Sequence, residues 1–124
     1  MPVTLVTSNE LVSPLEDFSP GIVQKESITH PTSENLSIGY YKVNPGTAEL
    51  KMELPFEEVD YIIGGTATIT DDTGKKYIAK KGDVLYISKG SKITINYSDK
   101  VGFEGFYVIS PYNWRELIQG KESE

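Results

Sequence analysis

The chain has no cysteine and a single histidine, His30. The first absence excludes disulfides, thiolate nucleophiles and Cys-type zinc sites, and the second excludes a multi-His metal cluster within one chain. Positive charge is also scarce: 12 Lys and Arg stand against 18 Asp and Glu, a formal charge of -6. Such a surface repels polyphosphates and anionic bilayers, so neither nucleic acid nor membrane is an expected partner. No apolar run approaches the ~18–20 residues of a spanning helix. The start, MPVTLVTSNE, lacks the basic and apolar regions of a signal peptide, and a cytoplasmic location is expected. A length of 124 residues leaves room for one domain, expected to run over 1–124, and excludes a two-domain enzyme.

Helical periodicity is weak throughout, and what is present instead is β-patterning. From Leu36 onward, short runs rich in Val, Ile, Tyr, Phe and Thr alternate with Gly, Asp, Asn and Lys clusters, the pattern of consecutive short strands. The pattern predicts strands at about Gly21–Thr29, Leu36–Val43, Ala48–Leu54, Val59–Thr70, Lys76–Ala79, Val84–Ser88, Lys92–Tyr97 and Gly102–Ser110. Asn44, Pro45 and Gly46 form one turn, Asp71 to Gly74 a hairpin loop, and Lys80 to Asp83 and Ser88 to Ser91 compact corners. So many strands in one open sheet would leave an apolar face and two edges unprotected, which points to an all-β sandwich or barrel. Asn9–Ser19, with one proline and three acids, reads as a loop with one helical turn. Residues 113–119 read as a short terminal helical turn.

The densest chemical cluster is Lys51, Glu53, Glu57, Glu58 and Asp60. Lys51 and Glu53 share one face of a strand; Glu58, Asp60 and Ile62 share one face of the next. If both faces point inward, three carboxylates meet one ammonium, and at least one carboxylate must keep its proton near neutrality. That arrangement makes Glu53, Glu58 and Asp60 candidate catalytic acids and bases, with Lys51 tuning their charge. The alternative is a charged hairpin facing water, and spacing does not decide between them. Tyr40, Tyr86, Ile93, Tyr97, Phe103 and Tyr107, spread over several strands, are the candidate lining of a ligand pocket. His30, before Pro31 in a polar segment, reads as an extended loop residue. Trp114 reads as an anchor for the C-terminus or a dimer contact, and Asp83 as a structural carboxylate bonding nearby amides.

Two segments, EVDYIIGG at 58–65 and GDVLYISKG at 82–90, resemble the two motifs of cupins. Glu58 and Gly65 match the last two positions of the first motif, and its His-x-His positions align with Lys51 and Glu53. In the second motif Gly82 and Gly90 match, Ser88 replaces Pro, and Ile93 stands where a His ligand belongs. Three of the four usual ligands are thus absent, and Ile has no lone pair to offer, so no metal and no other cofactor is expected.

Within the cupins, the chain resembles the EutQ type of ethanolamine-utilisation protein. The shared features are Glu57, Glu58, Asp60 and Tyr61 before the turn, the Gly82–Asp83–Val84 corner, the Lys89–Gly90–Ser91 turn and Pro111, Asn113 and Trp114. The resemblance covers about 48–114, within a motif-bearing barrel at about 36–114. It implies an RmlC-like jelly-roll β-barrel, a homodimer, an association with bacterial microcompartments and an acetate-kinase activity dependent on ATP. Three functions follow as expectations. The first is a metal-independent cupin binding a small polar metabolite, with isomerase-, lyase- or cyclase-type acid/base catalysis. The second is a kinase in which Glu53, Glu58 and Asp60 hold Mg²⁺ and Lys51 meets a phosphate. The third is a non-catalytic scaffold with a filled barrel.

Overall fold

The structure is a computed structural model that describes residues 5–25, 35–98 and 100–110. One helix, α1 (Ser8–Val12), is followed by strands β1 (Leu15–Ser19), β2 (Ile22–Lys25), β3 (Ser37–Val43), β4 (Leu50–Glu53) and β5 (Glu57–Gly64). Then come β6 (Thr66–Thr70), β7 (Lys76–Lys80), β8 (Val84–Ile87), β9 (Lys92–Tyr97) and β10 (Phe103–Ser110). They form a six-stranded sheet ordered β1-β2-β3-β10-β5-β8 and a four-stranded sheet ordered β4-β9-β6-β7. Every pairing is antiparallel, and the two sheets exchange strands repeatedly along the chain, as a jelly roll requires.

Alternation along each strand puts one face of each sheet into a shared core. β10 shows it most plainly: Phe103, Gly105, Tyr107 and Ile109 are buried while the residues between them are partly exposed. Ile62 from the neighbouring β5 shares that core with Ile69 from β6 and Ile93 from β9 in the facing sheet. Leu54 and Phe56, on the link between β4 and β5, are each only 1% exposed. That link is fastened to the corner before β9, because the Leu54 N–H donates to the Ser91 carbonyl at 2.9 Å and the Gly90 N–H to the Leu54 carbonyl at 2.7 Å.

Two elements differ from the pattern read in the sequence. The segment expected as a loop with one helical turn, Asn9–Ser19, holds most of that turn as α1, but its second half is the strand β1. Thr7 caps α1 by accepting the Glu10 N–H at 3.3 Å, and Gly21, at φ +83°, turns β1 back onto β2, so Gly21 ends a turn rather than opening a strand. The single strand expected over Val59–Thr70 is two strands in different sheets. They part at Gly65, where φ is +89° and a Cβ would sit 2.0 Å from the Gly102 carbonyl oxygen. Only glycine can make that crossing. The expected terminal helical turn, together with His30, Trp114 and part of the strand expected over Gly21–Thr29, lies outside the described residues.

Candidate functional site

A cavity of about 80 Å³ lies between the sheets. β5 supplies its chemistry. Glu58 and Asp60 are two residues apart, so both project from the inner face of the six-stranded sheet, and both line the cavity. Asp60 is 6% exposed and Glu58 half-buried. The rest of the wall is largely apolar, including Leu50 and Met52 from β4, Leu85 from β8 and Ile93 from β9.

Four aromatic rings pack into a continuous inner wall beside the acids. Tyr41 of β3 stacks on Tyr107 of β10 at a centroid distance of 6.2 Å and tilts against Phe103 at 6.1 Å. Phe103 in turn meets Tyr97 of β9 at 5.8 Å. Two glycines make room for this wall. In the β3–β10 register Tyr41 faces Gly105 and Tyr107 faces Gly39. A Cβ on Gly105 would lie 2.5 Å from the Tyr41 hydroxyl, and one on Gly39 would lie 2.3 Å from that of Tyr107. Each tyrosine therefore lies flat across a glycine of the neighbouring strand, which carries its ring along the cavity wall.

The electrostatics follow from burial without compensating charge. Glu58 and Asp60 share a hydrogen bond, and the Tyr41 hydroxyl donates to Asp60. Burial pushes the Glu58 carboxyl well above the carboxylate range, and the charge of Asp60 and the shared hydrogen bond raise it further. Burial lifts Asp60 from 3.8 to about 6, against the lowering effect of the bonds from Glu58 and Tyr41. Tyr41 and Tyr97 are raised as well, first by burial and then by the two acids. Within the pair Glu58 therefore holds its proton more tightly than Asp60.

The structure separates the residues expected to act together. Glu58 and Asp60 enter the cavity, as do Ile93, Tyr97, Phe103 and Tyr107. Lys51 and Glu53 do not: Leu50 and Met52 occupy the inward positions of β4, which turns Lys51 and Glu53 outward. The Lys51 side chain is 76% exposed and lies 3.7 Å from Glu49. Tyr40 and Tyr86 sit on the outer face of the six-stranded sheet, where Tyr40 bonds Glu104 and Tyr86 donates to Glu57 at 2.5 Å. Tyr41 and Gln24 are cavity residues that the sequence reading missed. For Tyr41 the signal was present: Lys42 and Tyr41 are on opposite faces, so the charged residue assigns Tyr40 to the outer one. Asp83 does what its corner position suggests, its carboxylate accepting the Lys80 N–H at 3.0 Å.

The donor set does not fit the metal that cupins of the three-His type bind. Among the described residues no group of three or more His, Cys, Asp or Glu is placed to hold a metal ion. The cavity offers two carboxyls, and Ile93 points into it from the position of a His ligand.

The sequence model of one protein family, described as "Ethanolamine utilisation protein EutQ", matches residues 15–116. A curated relative, "Acetate kinase EutQ" of Clostridioides difficile (strain 630), is 33% identical over 93 residues, 75% of this chain and 56% of that protein. This chain thus spans little more than half the length of that relative. The solved structure of the Clostridium difficile EutQ protein superposes with a TM-score of 0.62 at 28% identity, covering 77% of this chain and 68% of that one. An RmlC-like cupin from Shewanella frigidimarina NCIMB 400 superposes at 0.72 with 14% identity, over 91% of this chain and 96% of that one, a likeness of fold.

Proposed function

The chain belongs to the EutQ family, and from that premise we propose that it is a metal-independent cupin that binds a small polar metabolite and moves protons on it through Glu58 and Asp60. One observation carries the reading: a hydrogen-bonded pair of acids, both lifted by burial above the ordinary carboxylate range, lines an aromatic-walled cavity. At pH 7 Asp60 is the base and Glu58 the acid. Asp60 takes a proton from one position of the ligand while Glu58 delivers its own to another. The hydrogen bond between them then returns the proton to Glu58. That cycle suits an isomerisation, and it suits an elimination or cyclisation in which the leaving oxygen needs a proton.

The experiment is a thermal-shift screen of small polar metabolites on four proteins: the wild type, Asp60→Asn, Glu58→Gln and the double surface variant Lys51→Ala, Glu53→Gln. A ligand at 100 times its Kd adds about 2.7 kcal/mol to stability. Stabilisation is expected in the wild type and the surface variant and lost in Asp60→Asn. Stabilisation that persists in both single acid variants would place the ligand elsewhere.

A second reading has its own support, the name "Acetate kinase EutQ" of the curated relative. In that reading Glu58 and Asp60 hold Mg²⁺ and the transferred phosphoryl group is clamped by other residues, since no Lys or Arg lines the cavity among the described residues. It predicts acetyl phosphate formation from acetate and Mg²⁺-ATP, lost in Asp60→Asn. Association with a microcompartment, which the family resemblance suggests, accords with either reading.

A further inference from the structure

The cavity's charge is one-sided. Glu58 and Asp60 are its acids, and no Lys, Arg or His lines it among the described residues. The titratable groups packed against the pair are Tyr41 from β3, Tyr97 from β9 and Tyr107 from β10, and none of them can supply positive charge. An ionised carboxylate in a low-dielectric site without a counter-charge is poorly compensated, and a bound cation is the direct remedy.

A second observation narrows the cation. Asp60 is 6% exposed and faces the cavity, yet its Oδ1 atom has no hydrogen-bond partner. A buried acceptor left unpaired calls for a ligand with a donor, and a carboxylate or phosphate would bring only acceptors and like charge. An ammonium group has donors and no acceptor. Tyr41, Phe103 and Tyr97 add ring surface beside the acids, and such rings attract cations within about 6 Å of their centroids. A volume of about 80 Å³ holds roughly six water-sized atoms, so the ligand is small.

We propose that the cavity is a binding site for a compact primary ammonium compound, whose N–H donors meet Asp60 Oδ1 and Glu58 while its short carbon chain packs between the aromatic wall and Ile93. The proposal rests on the cavity being the ligand site, and it adds the ligand's charge and donor count. A quaternary ammonium of similar size has the charge without the donors, and a short alcohol has a donor without the charge.

The test is isothermal titration calorimetry of the whole chain with ethylammonium, propylammonium, tetramethylammonium, 1-propanol and propionate, with proton NMR of the tyrosine ring resonances. Propylammonium is expected to bind at least tenfold more tightly than 1-propanol or tetramethylammonium, and to shift the ring resonances of Tyr41 and Tyr97. Protonation of Asp60 neutralises the pair, so affinity at pH 5 is expected to be about tenfold below that at pH 7. Asp60→Asn is expected to abolish binding. Tyr97→Leu, which leaves both acids in place, is expected to weaken propylammonium binding and thereby tests the aromatic contribution even if Asp60→Asn fails to fold. If propionate or 1-propanol binds as tightly and shifts the same rings, the cation assignment is overturned while the cavity remains the ligand site. If no compound in the panel shifts those rings, both the assignment and the reading beneath it are overturned.

Discussion

Replacing Asp60 by Asn should change how the stability of the free protein depends on pH, and in a direction opposite to most acid-denatured proteins. A carboxyl whose folded value lies above its unfolded one binds protons more tightly when folded. Its contribution is fully present below 3.8, the unfolded value, and is lost as pH rises through about 6. Moving a group from 3.8 to about 6 is worth on the order of 3 kcal/mol at 1.36 kcal/mol per pH unit. Burial and the charge of Asp60 push Glu58 upward as well, so its contribution has the same sign. Asn preserves the shape, can accept the Tyr41 hydroxyl and cannot ionise. Urea unfolding of wild type and Asp60→Asn at half-unit intervals from pH 4 to pH 7.5 measures the difference between them, which cancels the titrating groups not coupled to Asp60. The wild type is expected to lose about 2.4 kcal/mol relative to the variant over that range, or about 10 °C of melting temperature. A difference that stays flat, or a wild type that gains stability on the variant as pH rises, would refute the claim that burial raises this carboxyl.

Gly65→Ala is expected to cost about 3 kcal/mol, since it adds a left-handed backbone penalty to a contact 2.0 Å from the Gly102 carbonyl oxygen. Gly74→Ala, at φ +86° with nothing within 4 Å, should cost only the backbone part, about 1–2 kcal/mol, in the same urea assay. If the two cost the same, the strand exchange at Gly65 is not sterically enforced. We propose that the homodimer implied by the family resemblance, if it forms, uses the outer face of the six-stranded sheet, where Tyr61, Val84 and Tyr86 are 49%, 61% and 64% exposed. Tyr86→Arg should weaken dimerisation by roughly 100-fold in sedimentation equilibrium, the scale of an aromatic anchor, and an unchanged dimer would place the interface on another face.

The barrel was legible because strand alternation and turn chemistry are local signals: the Asp71 to Gly74 hairpin, the Lys80 to Asp83 corner and the alternation of β10 all appear in the sequence as they stand in the structure. The pairing of Glu58 with Asp60 on one face was legible for the same reason. What alternation does not supply is which of two faces points inward. For β4 the choice lay between the apolar pair Leu50 and Met52 and the charged pair Lys51 and Glu53, and the core took the apolar pair. β5 went the other way. Its inner face carries two acids because Ile62, fully buried, sets the face for Glu58 and Asp60 as well. Tyr40 and Tyr41 offered one ring to each face; Lys42 marks the face of Tyr40 as the outer one, and the register opposite Gly105 gives the Tyr41 ring its room in the cavity wall.

The same register explains how Glu58 can have a different role from the one its motif position implies. In a three-His, one-Glu cupin site the metal's charge keeps the glutamate ionised. Here the inward positions of β4 and β9 carry Leu50, Met52 and Ile93, so no positive charge offsets the burial of Glu58. Asp60, two residues on and on the same face, adds a second negative group at hydrogen-bonding distance. Both changes act in one direction: apolar neighbours penalise the charged form, and a neighbouring acid penalises a second charge. The glutamate that would serve as a ligand becomes the proton holder, and its neighbour becomes the charged acceptor. Apolar side chains around this glutamate thus leave a buried acid pair without a counter-charge, the arrangement on which the proposed proton transfer rests.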